Sequence, residues 1–207
     1  MIEFNMRILT LTKNTTDAAV REAISILKDG GLIAYPTESF YALGVMATDE
    51  EAVSRLFTLK KRPPEKPLPV IVGDIETLET IVKSIPDQAM TLIEKYWPGP
   101  LNIIFEANDH IPLTLTGGSQ KIAVRIPGDK TAFNLARASK LPITATSANP
   151  SALPPAKNAN EVKNYFDGEI DLIIDNGETP GGKPSTIVDA TTVPFRVLRE
   201  GSIRLKC

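Results

Sequence analysis

The sequence contains a single cysteine, Cys207, and a single histidine, His110, among its 207 residues. A disulfide framework and a zinc site built on cysteines are therefore excluded, and so is a metal site built on several histidines. Such low cysteine content is typical of proteins from a reducing compartment. A chain of this length buries roughly two-thirds of its unfolded surface, so we expect it to fold without disulfides or zinc.

Long apolar runs and a strong charge imbalance are also missing. No stretch approaches the ~20 apolar residues that a membrane span needs, and residues 1–7 lack the basic-then-apolar order of a signal peptide. Lys and Arg number 23 against 25 for Asp and Glu, a net charge of −2. This balance of charges gives no indication of nucleic-acid binding, although it is compatible with a local basic patch. We expect a soluble, cytoplasmic protein with one domain over residues 1–207.

The sequence does contain a mixture of helical and strand patterns. Helices are predicted over residues 16–29, 48–60, 74–82, 87–97, 129–140 and 161–166, and Thr48 and Glu51 have the spacing of a capping box. Strands are predicted over residues 6–12, 32–35, 68–72, 101–106, 121–126, 143–146, 172–175, 186–189 and 195–198. Because the two types do not alternate strictly, the pattern favours an α/β sandwich with a mixed sheet over a purely parallel one.

A glycine-rich stretch at residues 177–183 matches the G-x-x-x-x-G-K spacing of a phosphate-binding P-loop. A P-loop continues with Ser or Thr and enters a helix. Here Pro184 follows Lys183, and the next residues form a β-branched run. We therefore predict a loop between strands that can still line a site.

Polar residues follow two of the predicted strands. Thr37, Glu38 and Ser39 come directly after a buried strand, and residues 144–149 offer three hydroxyls and the amide of Asn149. Polar loops at strand ends are favoured ligand sites in α/β sheets. Local hydrogen bonding within a turn explains the same residues equally simply, so both interpretations stay open.

Several cations lie at predicted element ends. Residues 60–66 hold four cations with prolines between them, which suits phosphate binding, but cations at a helix end are more often solvated. Arg125 interrupts an apolar strand and needs either a ligand carboxylate or a structural ion pair. Arg199 raises the same question, and Ser185 at a strand start is a weak indication alone.

Taken in order, these segments resemble the YrdC/TsaC family of threonylcarbamoyl-AMP synthases, from about residue 16 to residue 201. The motifs are each weak, but their joint order is specific. They are Pro36-Thr37-Glu38 with Tyr41-Ala42-Leu43-Gly44, Lys60-Lys61-Arg62-Pro63, Pro67-Leu68, Trp97-Pro98-Gly99-Pro100, Val124-Arg125-Ile126-Pro127, Thr146-Ser147-Ala148-Asn149, Ser185-Thr186-Ile187-Val188-Asp189 and Leu198-Arg199-Glu200-Gly201.

The resemblance implies an α/β fold with a twisted mixed sheet, flanking helices and a concave, positively charged cleft. It implies an enzyme that joins L-threonine, bicarbonate or CO2, and ATP into threonylcarbamoyl-AMP, with release of pyrophosphate. A separate transferase complex would then modify adenosine 37 of tRNAs that read codons starting with A. Contact with tRNA or double-stranded RNA is left open, and the chain would be the single-domain form.

The resemblance also implies roles for individual residues. It makes four residues catalytic: Lys60, Arg62, Ser147 and Asn149. It assigns the nucleotide to Lys60, Arg62, Lys66, Asn149, Lys157 and Arg199. It assigns threonine to Thr37, Arg125, Ser147 and Ser185. The family often has glycine where Ala152 stands, and alanine disfavours a positive φ.

The implied chemistry suits a chain with few catalytic bases. N-carboxythreonine is already anionic, so its attack on the α-phosphorus needs positioning and charge neutralisation rather than a strong base. Mg²⁺ is expected to arrive on the ATP phosphates, because no clustered carboxylates suggest a protein-built metal site. As surface cations, Lys60 and Arg62 are expected to contribute little to stability.

Three other functions remain as alternatives. An RNA-binding module would use the cations of residues 60–66. A serine hydrolase would need His110 as its only base, in what looks like a surface turn. A paralogue with the same cleft would act on another amino acid.

Overall fold

A computed structural model describes residues 6–12 and 15–205, so Cys207 and residues 1–5 lie outside the described part. The helices in these ranges are α1 Thr16–Lys28, α2 Glu50–Lys60, α3 Ile75–Ile81, α4 Asp87–Tyr96, α5 Leu113–Thr116, α6 Lys130–Ser139 and α7 Ala159–Phe166. The strands are β1 Arg7–Thr10, β2 Ile33–Pro36, β3 Tyr41–Gly44, β4 Val70–Ile71, β5 Leu101–Glu106, β6 Lys121–Arg125, β7 Ile143–Thr144, β8 Thr146–Ser147, β9 Leu172–Asp175, β10 Thr186–Asp189 and β11 Arg196–Arg199.

The strands divide into two mixed sheets. The first has the order β1-β9-β2-β3-β8, and the second has the order β11-β10-β5-β6-β4-β7. Parallel pairs such as β1 with β9 stand beside antiparallel pairs such as β5 with β6. The mixed α/β class is confirmed, but the strands form two sheets rather than the single sheet expected.

The segment from β7 to β8 connects the two sheets. Ile143 and Thr144 pair with β4 in the second sheet, whereas Thr146 and Ser147 pair with β3 in the first. Ala145 lies between them and donates its backbone N–H to Pro69 O at 2.8 Å. The strand predicted over residues 143–146 is thus two short strands, and Ser147 is placed where the sheets meet.

A few predicted details differ from the structure. The cap of α2 is Asp49, whose carboxylate accepts from Ala52 N at 3.0 Å, so the capping box predicted from Thr48 and Glu51 is wrong. Strand β3 and the short helix α5 were not predicted. The sequence of β3, Tyr-Ala-Leu-Gly, is short and poor in β-branched residues, so no pattern revealed it.

The main apolar cluster contains side chains of both sheets. Leu43 of the first sheet and Ile103 of the second join Leu56 of α2, Leu92 of α4 and Phe166 of α7. A second cluster joins α1 and α6 to the first sheet, as expected for helices with one apolar face. These clusters hold the strand ends that carry the polar residues described next.

Candidate functional site

One group of polar residues lies where strand ends of the two sheets meet, and we call Thr37, Glu38, Arg125 and Ser185 the arginine corner. Thr37 and Glu38 follow β2 of the first sheet, Arg125 ends β6 of the second, and Ser185 precedes β10. Arg125 is only 6% exposed. Its Nη1 donates a short hydrogen bond to Ser185 Oγ, and its Nη2 lies 3.3 Å from Glu38 Oε1.

The arginine corner contains polar atoms without partners. Glu38 and Arg125 form an ion pair whose side chains are 19% and 7% exposed. Even so, neither carboxylate oxygen of Glu38 accepts a hydrogen bond, and Arg125 Nε donates none. Buried charged groups in proteins are normally hydrogen-bonded, so this corner has unused capacity for a ligand.

Thr37 is occupied within its own turn. Its hydroxyl donates to Phe40 O at 2.7 Å and lies 3.3 Å from the backbone N–H groups of Ser39 and Phe40 as an acceptor. The Thr37 hydroxyl therefore forms the local hydrogen bonds of a turn, which is one of the two interpretations of this segment. The threonine-binding role that the resemblance implies for Thr37 stays a prediction.

Asp129 adds a second carboxylate near the arginine corner. It caps α6 by accepting from Thr131 N and Ala132 N at 2.8 and 3.0 Å. Burial raises the pKa of Asp129, and the negative charge of Glu38 acts in the same direction. Glu38 belongs to a predicted ligand segment but was given no role from the sequence, and Asp129 was not identified as a candidate.

A second group lies at the end of α2, and we call Lys60, Arg62, Ser147 and Asn149 the lysine corner. Lys60 is only 2% exposed. Its Nζ donates a short bond to Ser147 O and a 2.6 Å bond to Asn149 O. Burial lowers the pKa of Lys60 to about 7, and the positive charge of Arg62 contributes. The expectation that Lys60 is a surface cation is wrong.

The segment after Ser147 is ordered by the same contacts. Ser151 N donates to Lys60 O at 2.8 Å, and Asn149 Nδ2 donates to Pro150 O and Leu153 O. Asn149 Oδ1 is buried and receives no hydrogen bond. Ala152 adopts a φ of 73° despite its side chain. The loop thus takes the left-handed conformation that alanine disfavours.

Arg62 folds back on the loop that follows it. Its Nε donates to Lys66 O at 3.0 Å and its Nη2 donates to Pro67 O at 2.9 Å. Burial lowers the pKa of Arg62. The side chain of Lys66 is exposed. Arg62 therefore holds the loop over residues 63–67 with its Nε and Nη2. Its Nη1 has no part in these two hydrogen bonds.

Arg199 contacts the arginine corner, whereas Lys157 lies beside the glycine-rich stretch over residues 177–183. Arg199 donates from Nε and Nη2 to Ser185 O at 3.1 and 2.8 Å, and burial with the nearby Arg125 charge lowers its pKa. Lys157 is exposed, and its backbone O accepts from Thr179 N at 2.8 Å. The structure thus brings Arg125, Ser185 and Arg199 together.

The glycine-rich loop covers the turn beside the arginine corner. Gly181 N donates to Ser39 O at 2.7 Å, and the loop leads into strand β10 rather than a helix. The prediction that this stretch is a loop between strands and not a P-loop is confirmed. Its position allows it to line the site.

Three other features concern a catalytic histidine, a metal site and a membrane-spanning helix. His110 is exposed in a turn, as predicted. Within residues 6–12 and 15–205, no three His, Cys, Asp or Glu side chains are grouped as a metal site requires. No helix in the same ranges combines the length and apolar character needed to cross a bilayer.

Comparison with known proteins identifies the family. The Sua5/YciO/YrdC family model, described as "Telomere recombination", matches residues 25–201, so the chain belongs to this family. The threonylcarbamoyl-AMP synthase of Pyrococcus abyssi is 39% identical over 96% of this chain and 58% of its own length. The enzyme of the same name from Bacillus subtilis is 36% identical over 92% and 55%. The one from Cellvibrio japonicus is 35% identical over 84% and 92%.

Solved structures agree with this assignment. A doubly substituted Sua5 from P. abyssi superposes with a TM-score of 0.92 at 38% identity, over 97% of this chain and 61% of that one. P. abyssi Sua5 complexed with L-threonine gives a TM-score of 0.87, over 95% and 57%. The chain thus spans little more than half the length of the relatives from P. abyssi and B. subtilis. The family and fold that the motif order implied are confirmed.

Proposed function

We propose that this protein is a threonylcarbamoyl-AMP synthase, an enzyme that uses L-threonine, bicarbonate or CO2, and ATP and releases pyrophosphate. The observation that carries the proposal is the buried Arg125 with its Ser185 partner, which suits an amino-acid carboxylate. Relatives with this name and a relative solved with L-threonine support it. A cytoplasmic location and a single domain over residues 1–207 are part of the proposal.

The arginine corner would hold threonine. Arg125 would face the carboxylate, and Ser185 with Thr37 would contact the rest of the amino acid. Ser147 lies on β8, which is in the same sheet as β2 with β3 between them. It would therefore approach the same ligand from the end of β8. This arrangement would present the amino group for carboxylation.

The lysine corner would hold the reacting phosphate. In its protonated form Lys60 has three donors, and two of them serve backbone carbonyls. The third would be left for a phosphate oxygen, whose negative charge would favour the protonated form. Arg62 Nη1 and Lys66 would add positive charge. The carbamate would attack the α-phosphorus in line, and pyrophosphate would leave. Positioning of the reactants and neutralisation of the phosphate charge can promote such a reaction.

The nucleotide would extend toward Asn149, Lys157 and Arg199. Asn149 Oδ1 is a buried acceptor without a donor, which a nucleotide hydroxyl or amino group could supply. Mg²⁺ would arrive on the ATP phosphates. Together with the corners described above, these residues would line a concave, positively charged cleft.

The product would serve tRNA modification. A separate transferase complex would move the threonylcarbamoyl group to N6 of adenosine 37, and direct contact of this chain with tRNA or double-stranded RNA is a further proposal. The second candidate function is a paralogue that uses the same cleft for another amino acid. It shares the arginine corner, which recognises features common to all amino acids.

The test is an assay of pyrophosphate release from ATP with L-threonine and bicarbonate, each omitted in turn. We expect release only when both are present, with AMP incorporated in the product. Production of ADP and phosphate would contradict attack on the α-phosphorus. Release that needs another amino acid instead of threonine would establish the paralogue.

A further inference from the structure

Glu38 has no task in the reaction as described so far. Its carboxylate is buried, and neither oxygen accepts a hydrogen bond. The contact with Arg125 Nη2, at 3.3 Å from Oε1, is an ion pair without hydrogen-bond geometry. A carboxylate offers about four acceptor positions, and a buried charge with empty positions is costly.

None of the neighbouring polar groups donates a hydrogen bond to Glu38. The Thr37 hydroxyl donates to Phe40 O. The Asp129 carboxylate caps α6 and donates nothing. The Ser185 hydroxyl accepts from Arg125. Among the described residues Glu38 thus has no donor, and a ligand that brings an N–H group would complete it.

The ion pair has the charge pattern that an amino acid requires. An amino acid carries a carboxylate and an ammonium on one carbon, and it needs a cation and an anion side by side. Arg125 and Glu38 provide them, one from each sheet. A zwitterion that enters this pair exchanges partners with it, and the buried net charge is unchanged.

We propose that Glu38 receives the α-ammonium group of the amino-acid substrate, while Arg125 receives its carboxylate. This inference rests on the proposed function. It makes Glu38 a specificity-determining residue that selects ligands with a free amino group. When bicarbonate carboxylates the ammonium, one water and one proton leave, the proton passing to Glu38 or to solvent. The nitrogen keeps one N–H, which Glu38 continues to hold.

The test compares two ligands on two proteins. L-Threonine and 3-hydroxybutyrate, which lacks only the amino group, are titrated against the full chain and against Glu38→Gln by calorimetry. We expect the wild type to prefer threonine by about tenfold or more, and Glu38→Gln to lose most of this preference by weakening threonine alone. Glu94→Gln, on an exposed face of α4, is the matched control and should change neither affinity.

The outcomes separate the inference from the proposed function. A wild type that binds both ligands equally overturns the role of Glu38 without any variant, so a misfolded Glu38→Gln does not prevent a decision. Equal weakening of both ligands in Glu38→Gln also overturns it, because Glu38 would then act only by holding Arg125. A wild type that binds no threonine at all would instead refute the proposed function. Glu38→Asp keeps the charge and should retain part of the preference.

Discussion

The lysine and arginine corners contain the same kind of group, a buried cation beside hydroxyls and carbonyls, but they use it differently. Lys60 directs two donors at backbone carbonyls of the segment that contains Ser147 and Asn149. Arg125 holds one hydroxyl and faces a carboxylate that lacks hydrogen bonds. The lysine of the first corner is satisfied by the chain, whereas the arginine corner retains buried polar atoms without hydrogen bonds.

This difference indicates a division of labour. A cation bonded to backbone carbonyls fixes the geometry of its surroundings, so its loss should affect both stability and turnover. A cation in an incomplete network recognises a ligand, so its change should affect substrate affinity first. The following predictions test this division.

The largest effect is expected in the choice of amino acid by the arginine corner. If Thr37 and Ser185 read the substrate hydroxyl, valine should be rejected by a factor of about 10³ or more, because a buried polar group would lose its partner. Serine lacks only a methyl group, worth ~1 kcal/mol or somewhat more, and should be rejected less. Competition in the pyrophosphate assay measures both. Equal use of valine and threonine would refute a pocket that reads the hydroxyl.

Substitution of the buried lysine should affect turnover and stability together. Lys60→Met keeps the stem but removes the donors, so turnover should fall by about 10² or more. Near pH 10, where the folded amine is neutral and keeps both hydrogen bonds, the free energy of unfolding should fall by about 2–4 kcal/mol, since two carbonyls lose their partner. Pyrophosphate release and urea unfolding measure these changes. Lys61→Met, at the exposed neighbour, should change neither; normal stability of Lys60→Met would show that the lysine corner is not held by this amine.

Substitution of the buried arginine should act mainly on threonine. Arg125→Lys keeps the charge but loses the fork that serves a carboxylate and Ser185 together. The KM for threonine should rise about tenfold or more, and the KM for ATP should change little. Arg196→Lys, on the exposed edge strand β11, is the control. Equal increases in both KM values would contradict a role confined to the amino acid.

The lysine corner should also give stability a dependence on pH. The pKa of Lys60 is lowered to about 7 in the folded protein, against an ordinary value of 10.5. Between these values the unfolded chain binds the extra proton, so the free energy of unfolding rises with pH, by at most about 1.4 kcal/mol per unit. The difference between wild type and Lys60→Met, followed by urea unfolding from pH 7 to pH 10, should grow. A constant difference would mean that Lys60 titrates normally.

The smallest effect is expected at the loop next to the lysine corner. Ala152 adopts a φ of 73°, where a side chain is strained and glycine is not. Ala152→Gly should stabilise the protein by about 0.5–1 kcal/mol, since relief of strain outweighs the added freedom of the unfolded chain. Thermal unfolding measures the change. Loss of stability would indicate that the Ala152 side chain contributes contacts that offset the strain.

Local patterns predicted much of the fold. Strands β9 and β10 were predicted with their observed bounds, because β-branched runs between turn residues identify a buried strand. The start of α2 was misassigned because Thr48 and Asp49 are both good caps and only the folded backbone decides between them. The crossing at Ala145 could not be predicted, since it depends on pairing with strands far away in the chain.

The candidate site shows the same limit. The motif order indicated which residues gather, but not which of them would be buried. Lys60 looked like a solvated helix-end cation because its partners, Ser147 and Asn149, lie 87 and 89 residues further along. The position of Arg125 in an apolar strand indicated an ion pair or a ligand carboxylate, but its partner Glu38 belongs to a segment far away in the chain and could not be identified locally. Burial of polar groups is a property of the assembled fold.

The crossing at Ala145 has a consequence for how this family can vary in length. Thr144 belongs to one sheet and Thr146 to the other, with one residue between them. Successive side chains of a strand point to opposite faces, so one inserted or deleted residue here would reverse the facing of Ser147 or of Ile143. Length changes should therefore be refused between residues 143 and 149, whereas the exposed turn over residues 167–169 should accept them more readily. Deep insertion scanning would map this boundary as a sharp drop in function.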